Sequence, residues 1–179
     1  HKLHLRAMDL LGQLDTPVLS KVLSWLPQRQ ALCLMILASD WVKLVATHLK
    51  RLVIASDLPL SLVQRAAPHC LRLVDVTLHD RGDKEFWPQA VRCLKLLQHA
   101  PLKQIAVRGA CCESMDGLKP SAIFGALAGQ AKHYNDVEGF SVELLNLEAD
   151  TMHQVRDFLS QVPKLSSLTL RQCGLSGHT

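Results

Sequence analysis

Aromatic residues are scarce in this sequence. Phe, Trp and Tyr make up 4% of the 179 residues, although 48% of the residues are hydrophobic. The apolar content is therefore carried by Leu, Val, Ile and Ala, which stack in layers rather than around a few large anchors. The length suits one core, or one small module joined to a repetitive array, and excludes several independent domains.

Long apolar runs and charge clusters are also missing. No stretch approaches the roughly 18 apolar residues that a membrane span needs, and the opening HKLHLRAMDLL lacks a cleavable signal pattern. The net charge is +4, and the basic residues stand singly without interleaved aromatics. We therefore expect no membrane and no nucleic-acid partner.

The six cysteines form no CxxC pair and no regular framework. They are typical of small buried apolar residues in a reducing compartment. This usage predicts an intracellular protein, cytoplasmic or nuclear, with an organelle not excluded.

Motifs that carry chemistry are absent as well. The sequence contains no Gly-rich phosphate loop, no nucleophile elbow and no acid pair in unequal surroundings. Nine histidines occur, but no two stand at helical metal spacing beside a third ligand. We expect no enzymatic activity, no catalytic residue, no metal site and no cofactor.

The first part of the chain shows helical periodicity. Apolar residues in 3–14 share one helical face, and Thr16 followed by Pro17 is a typical helix start. The second helix ends at Pro27, and two further helical stretches follow, the last capped by Asp40. Residues 1–48 are therefore predicted to form a helical module.

A different pattern begins at Leu49. The template LxxLxLxx places apolar residues at its first, fourth and sixth positions, and it recurs at irregular spacing with a plausible helix before most copies. The matches begin at Leu49, Leu73, Leu102, Val142 and Leu165. Strand-helix units of this kind bury their apolar faces by stacking on one another. The fold class predicted for residues 49–179 is thus α/β, a leucine-rich repeat solenoid of about five irregular units.

Side chains alternate along a strand, so the third, fifth and seventh template positions point away from the core. As a set they predict a mixed polar surface of the kind that repeat proteins use to bind other proteins. The residues of this predicted concave binding face are Arg51, Asp75, Thr77, His79, Gln104, Arg108, Asn146, Glu148, Thr169 and Arg171.

The stretch LDTPVLSKVLSWLPQRQALCLMILASDWVKL resembles an F-box, the helical module that docks onto the Skp adaptor of cullin-based ubiquitin ligases. The sequence departs from the family at Asp15 and Pro17, where an F-box usually has Leu-Pro followed by an acidic residue. The residues that the resemblance assigns to adaptor docking are Leu14, Val18, Leu19, Val22, Leu23, Leu26, Pro27 and Trp41.

Two functions follow as expectations. The first is a substrate-recruiting subunit of an SCF-type ubiquitin ligase, in which the helices bind the adaptor and the repeats bind a target protein. The alternative is a non-catalytic structural or scaffolding component of a larger intracellular assembly, in which the helices only cap the repeats.

The last layer carries a further expectation. We expect Leu165, Leu168, Leu170 and Leu175 to be covered, either by further chain beyond Thr179 or by a partner protein. Because Leu168 is assigned to a packed layer, Leu168→Asp is expected to destabilise the protein strongly.

Overall fold

The computed structural model describes residues 15–26, 28–37, 39–83, 85–109, 121–145, 147 and 149–173. Three helices precede the first strand, and four more alternate with five strands. In chain order the elements are α1 (Thr16–Trp25), α2 (Gln28–Leu37), α3 (Ser39–His48), β1 (Arg51–Ala55), α4 (Leu60–Ala66), β2 (Asp75–His79), α5 (Phe86–Leu96), β3 (Gln104–Arg108), α6 (Ser121–Gly129), β4 (Gly139–Glu143), α7 (Ala149–Gln161) and β5 (Ser167–Arg171).

Local sequence explains where α1 begins. Pro17 lies in its first turn, where the missing N–H of proline leaves no hydrogen bond unmade. The N-cap is Asp15 and not Thr16, which is already the first helical residue, and the Asp15 side chain makes no capping hydrogen bond. Leu19 and Leu23, one turn apart, are buried on the inner face of this helix.

The five strands form one sheet in the order β1-β2-β3-β4-β5, and every neighbouring pair is parallel. Each strand is five residues long, and its second and fourth residues stand in register with those of its neighbours. Two apolar rows therefore cross the sheet. They are Leu52, Val76, Ile105, Phe140 and Leu168, and Ile54, Leu78, Val107, Val142 and Leu170.

The core lies on that side of the sheet, and the helices that cross between strands pack one on the next. Although aromatic residues are few, four of them meet between β4 and the last helices. Phe140 lies 5.0 Å from Phe158 and 6.3 Å from Phe124, while Tyr134 lies 6.2 Å from Phe158, all measured between ring centroids. All four side chains are buried. This part of the core therefore depends on a few large anchors, contrary to the expectation from composition.

The α/β class is confirmed, but the predicted leucine-rich repeat solenoid is wrong. The described residues form a single five-stranded, all-parallel sheet with seven helices, and no solenoid. The strands begin at Arg51, Asp75, Gln104, Gly139 and Ser167, which are 24, 29, 35 and 28 residues apart. The crossover helices also differ in length, from 7 residues in α4 to 13 in α7. The apolar template therefore identified strands that pair in one sheet. A match to this template does not show that the chain is built from stacked units of equal length.

The fourth template match is displaced along the chain. The prediction placed the apolar positions at Val142, Leu145 and Leu147, whereas β4 spans Gly139–Glu143 and pairs through Phe140 and Val142. Leu145 and Leu147 are buried just beyond the strand. Their burial explains why two overlapping sets of residues satisfy the same pattern.

The final strand is only partly covered. Leu165 is half-buried, and Leu168 and Leu170 are 48% and 39% exposed. Leu175 lies outside the described residues. The burial that led us to expect strong destabilisation from Leu168→Asp is therefore not present.

Candidate protein-binding surface

The side of the sheet opposite the helices carries the first, third and fifth residues of every strand. We call this surface the open face. Most of its side chains are exposed or half-buried, whereas the neighbouring second and fourth residues of β1 to β4 are buried. Its residues are Arg51, Asp75, Gln104, Gly139 and Ser167 in the first row, Val53, Thr77, Ala106, Ser141 and Thr169 in the middle row, and Ala55, His79, Arg108, Glu143 and Arg171 in the third row.

The three rows differ in chemistry. The middle row contains only small or β-branched uncharged side chains, and charged residues occur in the rows on either side. A shallow groove of short side chains, the middle row, therefore crosses the strands. We call the first and third rows, which contain the charged residues, the two margins of the open face. Such a surface can accept the backbone of another polypeptide closely and can bond to its polar groups at both margins.

One ion pair and one glycine shape the first margin. The Arg51 Nε lies 3.3 Å from the Asp75 Oδ2 on the neighbouring strand. The Gln104 side chain extends over Gly139, where an added Cβ would stand 1.9 Å from the Gln104 Oε1. The glycine thus leaves the space in which Gln104 lies along the sheet.

The opposite margin lies at the carboxyl ends of the strands. Arg108 donates through Nε to the Glu143 Oε2 at 2.9 Å, and its terminal nitrogen contacts the same oxygen. Burial lowers the pKa of His79, and the positive charges of Arg108 and Arg81 lower it further against the opposing effect of Asp80. His79 is therefore a neutral donor and acceptor near pH 7.

A groove adjoins the open face beside β1. Its volume is about 480 Å³, and Leu32, Cys33 and Leu62 contribute to its lining. At its rim Arg81 donates to the Asp57 Oδ2 at 3.0 Å, and both side chains are exposed. The groove adds concave surface to the open face at this corner of the sheet.

The structure brings together most of the predicted binding face. The residues that lie on the open face as predicted are Arg51, Asp75, Thr77, His79, Gln104, Arg108, Thr169 and Arg171. Asn146 and Glu148 lie outside the described residues. Gly139, Ser141 and Glu143 also lie on the open face but were not predicted, because the fourth match was displaced. The alternative match through Val137, Phe140 and Val142 was the signal that could have found them.

The residues assigned to adaptor docking occupy different environments. Leu19, Leu23 and Trp41 are buried in the core, Val22 and Leu26 are half-buried, and Val18 is 48% exposed. Leu14 and Pro27 lie outside the described residues. Sequence reasoning missed Trp25, which is 72% exposed and one turn beyond Val22 on the outer side of α1. The Lys21 Nζ lies 5.5 Å from the centroid of the Trp25 ring.

The described part of the chain offers no metal cluster and no membrane-spanning helix. No group of three His, Cys, Asp or Glu side chains there could hold a metal ion. Asp80 is 1% exposed and accepts a hydrogen bond from the Gly82 N–H at 2.8 Å, whereas its Oδ2 has no partner. None of the described helices is both long enough and apolar enough to cross a membrane.

Comparison with known proteins adds no assignment. No family model matches the chain, and no curated protein or solved structure matches it.

Proposed function

We propose that this protein is a non-catalytic, intracellular protein-binding module that holds a target protein on its open face. The observation that carries the proposal is the alignment of three rows of side chains, in register across five strands, on the side of the sheet away from the core. A small middle row between charged margins favours a polypeptide partner over a small molecule, which is usually enclosed in a concave pocket. The four described cysteines are free thiols, which is consistent with a reducing compartment.

The area of the open face is smaller than the area that a stable protein interface buries. Five strands at about 4.8 Å spacing and five residues at about 3.3 Å rise give roughly 400 Å² of flat area. A standard stable interface buries about 800 Å² on each partner. The target must therefore extend beyond the strands, and the rim that carries Asp57 and Arg81 beside the groove is the adjacent surface.

Exposed ion pairs on this surface cost little to rearrange. In the Arg51–Asp75 pair the arginine is exposed and the aspartate half-buried, and in the Arg81–Asp57 pair at the rim both side chains are exposed. Contacts of this kind contribute about 0–1 kcal/mol each. A target can therefore exchange them for its own charged groups. We expect binding that weakens as the salt concentration rises, because exposed charges are screened.

Site-specific photocrosslinking in cells tests the proposal. A photoreactive amino acid is placed at Thr77, Ala106 or Ser141 on the open face, and at Arg92 or Arg156 on the helices as matched controls. The proposal predicts one set of protein adducts from the three sheet positions and not from the helical positions. Adducts from the helical positions alone, or equally from both sides, would contradict it.

The exposed stripe on α1 favours a second candidate, docking of a Skp-type adaptor. Val18, Val22 and Trp25 follow one another at helical spacing, and Val18 and Trp25 are exposed apolar residues. Aromatic side chains of this kind are common anchors of protein interfaces. With an adaptor bound there, the open face would serve substrate recruitment for a ubiquitin ligase; without one, the same face serves a scaffolding role.

A purified Skp-type adaptor separates the two roles. If the first role applies, the intact chain binds the adaptor, Trp25→Ser weakens binding at least tenfold, and Lys43→Ser on the exposed side of α3 has no effect. Failure of the intact chain to bind, or full binding by a folded Trp25→Ser variant, would remove the adaptor role.

A further inference from the structure

The two edge strands of the sheet, β1 and β5, differ in how their outward backbone groups are hydrogen-bonded. At the β1 edge the Gln28 side chain takes the place of a neighbouring strand: its Nε2 donates to the Val53 carbonyl at 2.9 Å, and its Oε1 accepts from the Val53 N–H at 2.8 Å. The Ala55 carbonyl accepts from the Leu58 N–H at 3.0 Å. The outward backbone groups of Val53 and the Ala55 carbonyl are therefore satisfied within the chain.

At the β5 edge the described residues provide no such cover. Ser167 donates to the Glu138 carbonyl at 3.0 Å and the Arg171 carbonyl accepts from Leu144 at 3.0 Å, so these residues face β4. The backbone groups of successive residues point to alternate sides of a strand, and those of Leu168 and Leu170 therefore point away from β4. No described strand pairs on that side, and the two leucine side chains are 48% and 39% exposed.

The chemistry of this edge repeats that of β3. Both strands carry apolar residues at their second and fourth positions and arginine at the fifth, QIAVR in β3 and SLTLR in β5. The strand that follows β3 in the sheet is β4, GFSVE, which places Phe140 beside Ile105, Val142 beside Val107 and Glu143 beside Arg108. A strand that complements β5 should therefore resemble β4.

The charges support this comparison. Glu143 lies between Arg108 and Arg171 in the register, but its carboxylate is bonded to Arg108. Within the described residues Arg171 makes no ion pair, whereas Arg51, Lys103, Arg108 and Lys164 each contact a carboxylate on or next to the adjacent strand. An acidic residue on the outer side of β5 would complete the row.

We propose that the β5 edge binds an extended segment of a partner protein, aligned parallel to β5. The segment carries two apolar residues at alternate positions, followed directly by an acidic residue. Its backbone bonds to the N–H and C=O groups of Leu168 and Leu170, its apolar side chains pack beside theirs, and its carboxylate bonds to Arg171. This edge is separate from the centre of the open face, so the inference does not depend on the proposed function.

A second copy of the chain fits this edge less well. Two β5 strands related by a two-fold axis would run antiparallel. Centred on Thr169, that pairing would place Arg171 beside Ser167 of the other copy and would supply no carboxylate. The charge of the edge therefore favours an acidic partner segment.

Peptide binding to the intact 179-residue chain tests the proposal. The probe is a fluorescein-labelled peptide that contains GFSVE, compared with the reversed sequence EVSFG and with GFSVK. We expect saturable binding of GFSVE and at least tenfold weaker binding of the other two. Arg171→Glu should weaken GFSVE binding at least tenfold and strengthen GFSVK binding, while Arg92→Glu on α5 should change neither.

Each alternative has its own outcome. Absence of saturable GFSVE binding, or no effect of Arg171→Glu in a variant with a native circular-dichroism spectrum, overturns the proposal. Tighter binding of EVSFG overturns the parallel orientation. A dimer in sedimentation together with no saturable GFSVE binding assigns the edge to a second copy and also overturns the proposal. Should Arg171→Glu fail to fold, the comparison of GFSVE with GFSVK on the unaltered chain still decides.

Discussion

At the scale of single residues, one glycine marks a close approach between the ends of β3 and β4. Gly109 follows β3, and an added Cβ there would stand 2.2 Å from the Leu144 carbonyl oxygen and 2.6 Å from the Leu145 Cδ2. Leu144 itself has a positive φ of 56°. The backbone of the β4 end therefore cannot yield easily to a larger residue at position 109.

We predict opposite effects from two glycine-to-alanine substitutions. Gly109→Ala should lower the free energy of unfolding by about 1–3 kcal/mol, because the new methyl group meets backbone. Gly125→Ala within α6 meets nothing nearer than 3.5 Å and should raise it by about 0.5–1 kcal/mol. Urea unfolding of both variants measures the difference. Equal stability of Gly109→Ala and the unaltered chain would show that the two strand ends are further apart than described.

Histidines give the protein a pH dependence with a definite sign. Burial is the main cause that lowers the pKa of His79, and the positive charges of Arg108 and Arg81 lower it further. Burial is also the main cause that lowers the pKa of His48, with a smaller effect from the charge of Arg72. Histidines in the unfolded chain have pKa values of about 6.5. As the pH falls through that value, the unfolded chain therefore binds more protons than the folded chain. These two groups stabilise the fold above that pH, and their contribution declines below it.

The melting temperature should accordingly fall on acidification from about pH 8 to about pH 5.5. His79→Gln removes one of the two groups and should make this decline shallower. Calorimetric scans across the pH range provide the check. A His79→Gln variant with the same pH slope as the unaltered chain would contradict the assignment.

At the scale of elements, equivalent positions in two strands have different burial. Ile105 in β3 and Leu168 in β5 both occupy the second place of the strand, but Ile105 is 1% exposed and Leu168 is 48% exposed. The difference arises because β3 has a strand on each side, whereas β5 has a described neighbour only in β4.

We predict that Ile105→Ala costs about 2–5 kcal/mol of stability, since it opens a cavity in the packed core. Leu168→Ala should cost less than about 1 kcal/mol, because about half of that side chain already meets water. Denaturant unfolding compares the two directly. Similar losses in both variants would mean that the β5 edge is covered as completely as the centre of the sheet.

The positions of the strands could be predicted from the sequence better than the contacts between distant parts of the chain. Four of five apolar matches coincide with observed strands, because alternation along a strand is a local property that one strand displays alone. The fourth match failed because Leu145 and Leu147 are buried beyond β4 and imitate the pattern. The pairing of Gln28 with Val53 joins residues 25 positions apart, and no local pattern contains it.

At the scale of the whole molecule, the candidate site follows from the register of the sheet. Residues such as Thr77 and Arg108 could be assigned to one surface from sequence, because alternation fixes which side chains point away from the core. Alternation along single strands could not show whether the units form a repeat solenoid, because that depends on how units of unequal length associate. Exposure of Trp25 likewise depends on which face of α1 the other helices cover.

The sheet has a buried face toward the helices and an open face away from them, and the proposed binding depends on this difference. Reference thiols for testing this already exist in the chain: Cys33 is exposed, whereas Cys70 and Cys93 are buried, and burial raises the pKa of each of the latter to about 11. Reactive thiolate is therefore scarce at the two buried positions near neutral pH.

The most direct measurement is thiol labelling of cysteines introduced at neighbouring positions of β3 and β4, followed by mass spectrometry. Ala106→Cys and Ser141→Cys lie on the open face, and Val107→Cys and Val142→Cys lie in the core. In the folded chain we expect the first pair to be labelled readily, together with the exposed Cys33, and the second pair to stay protected, together with the buried Cys93, until denaturant is added. Equal labelling of both pairs, or protection of the first pair, would contradict the open face.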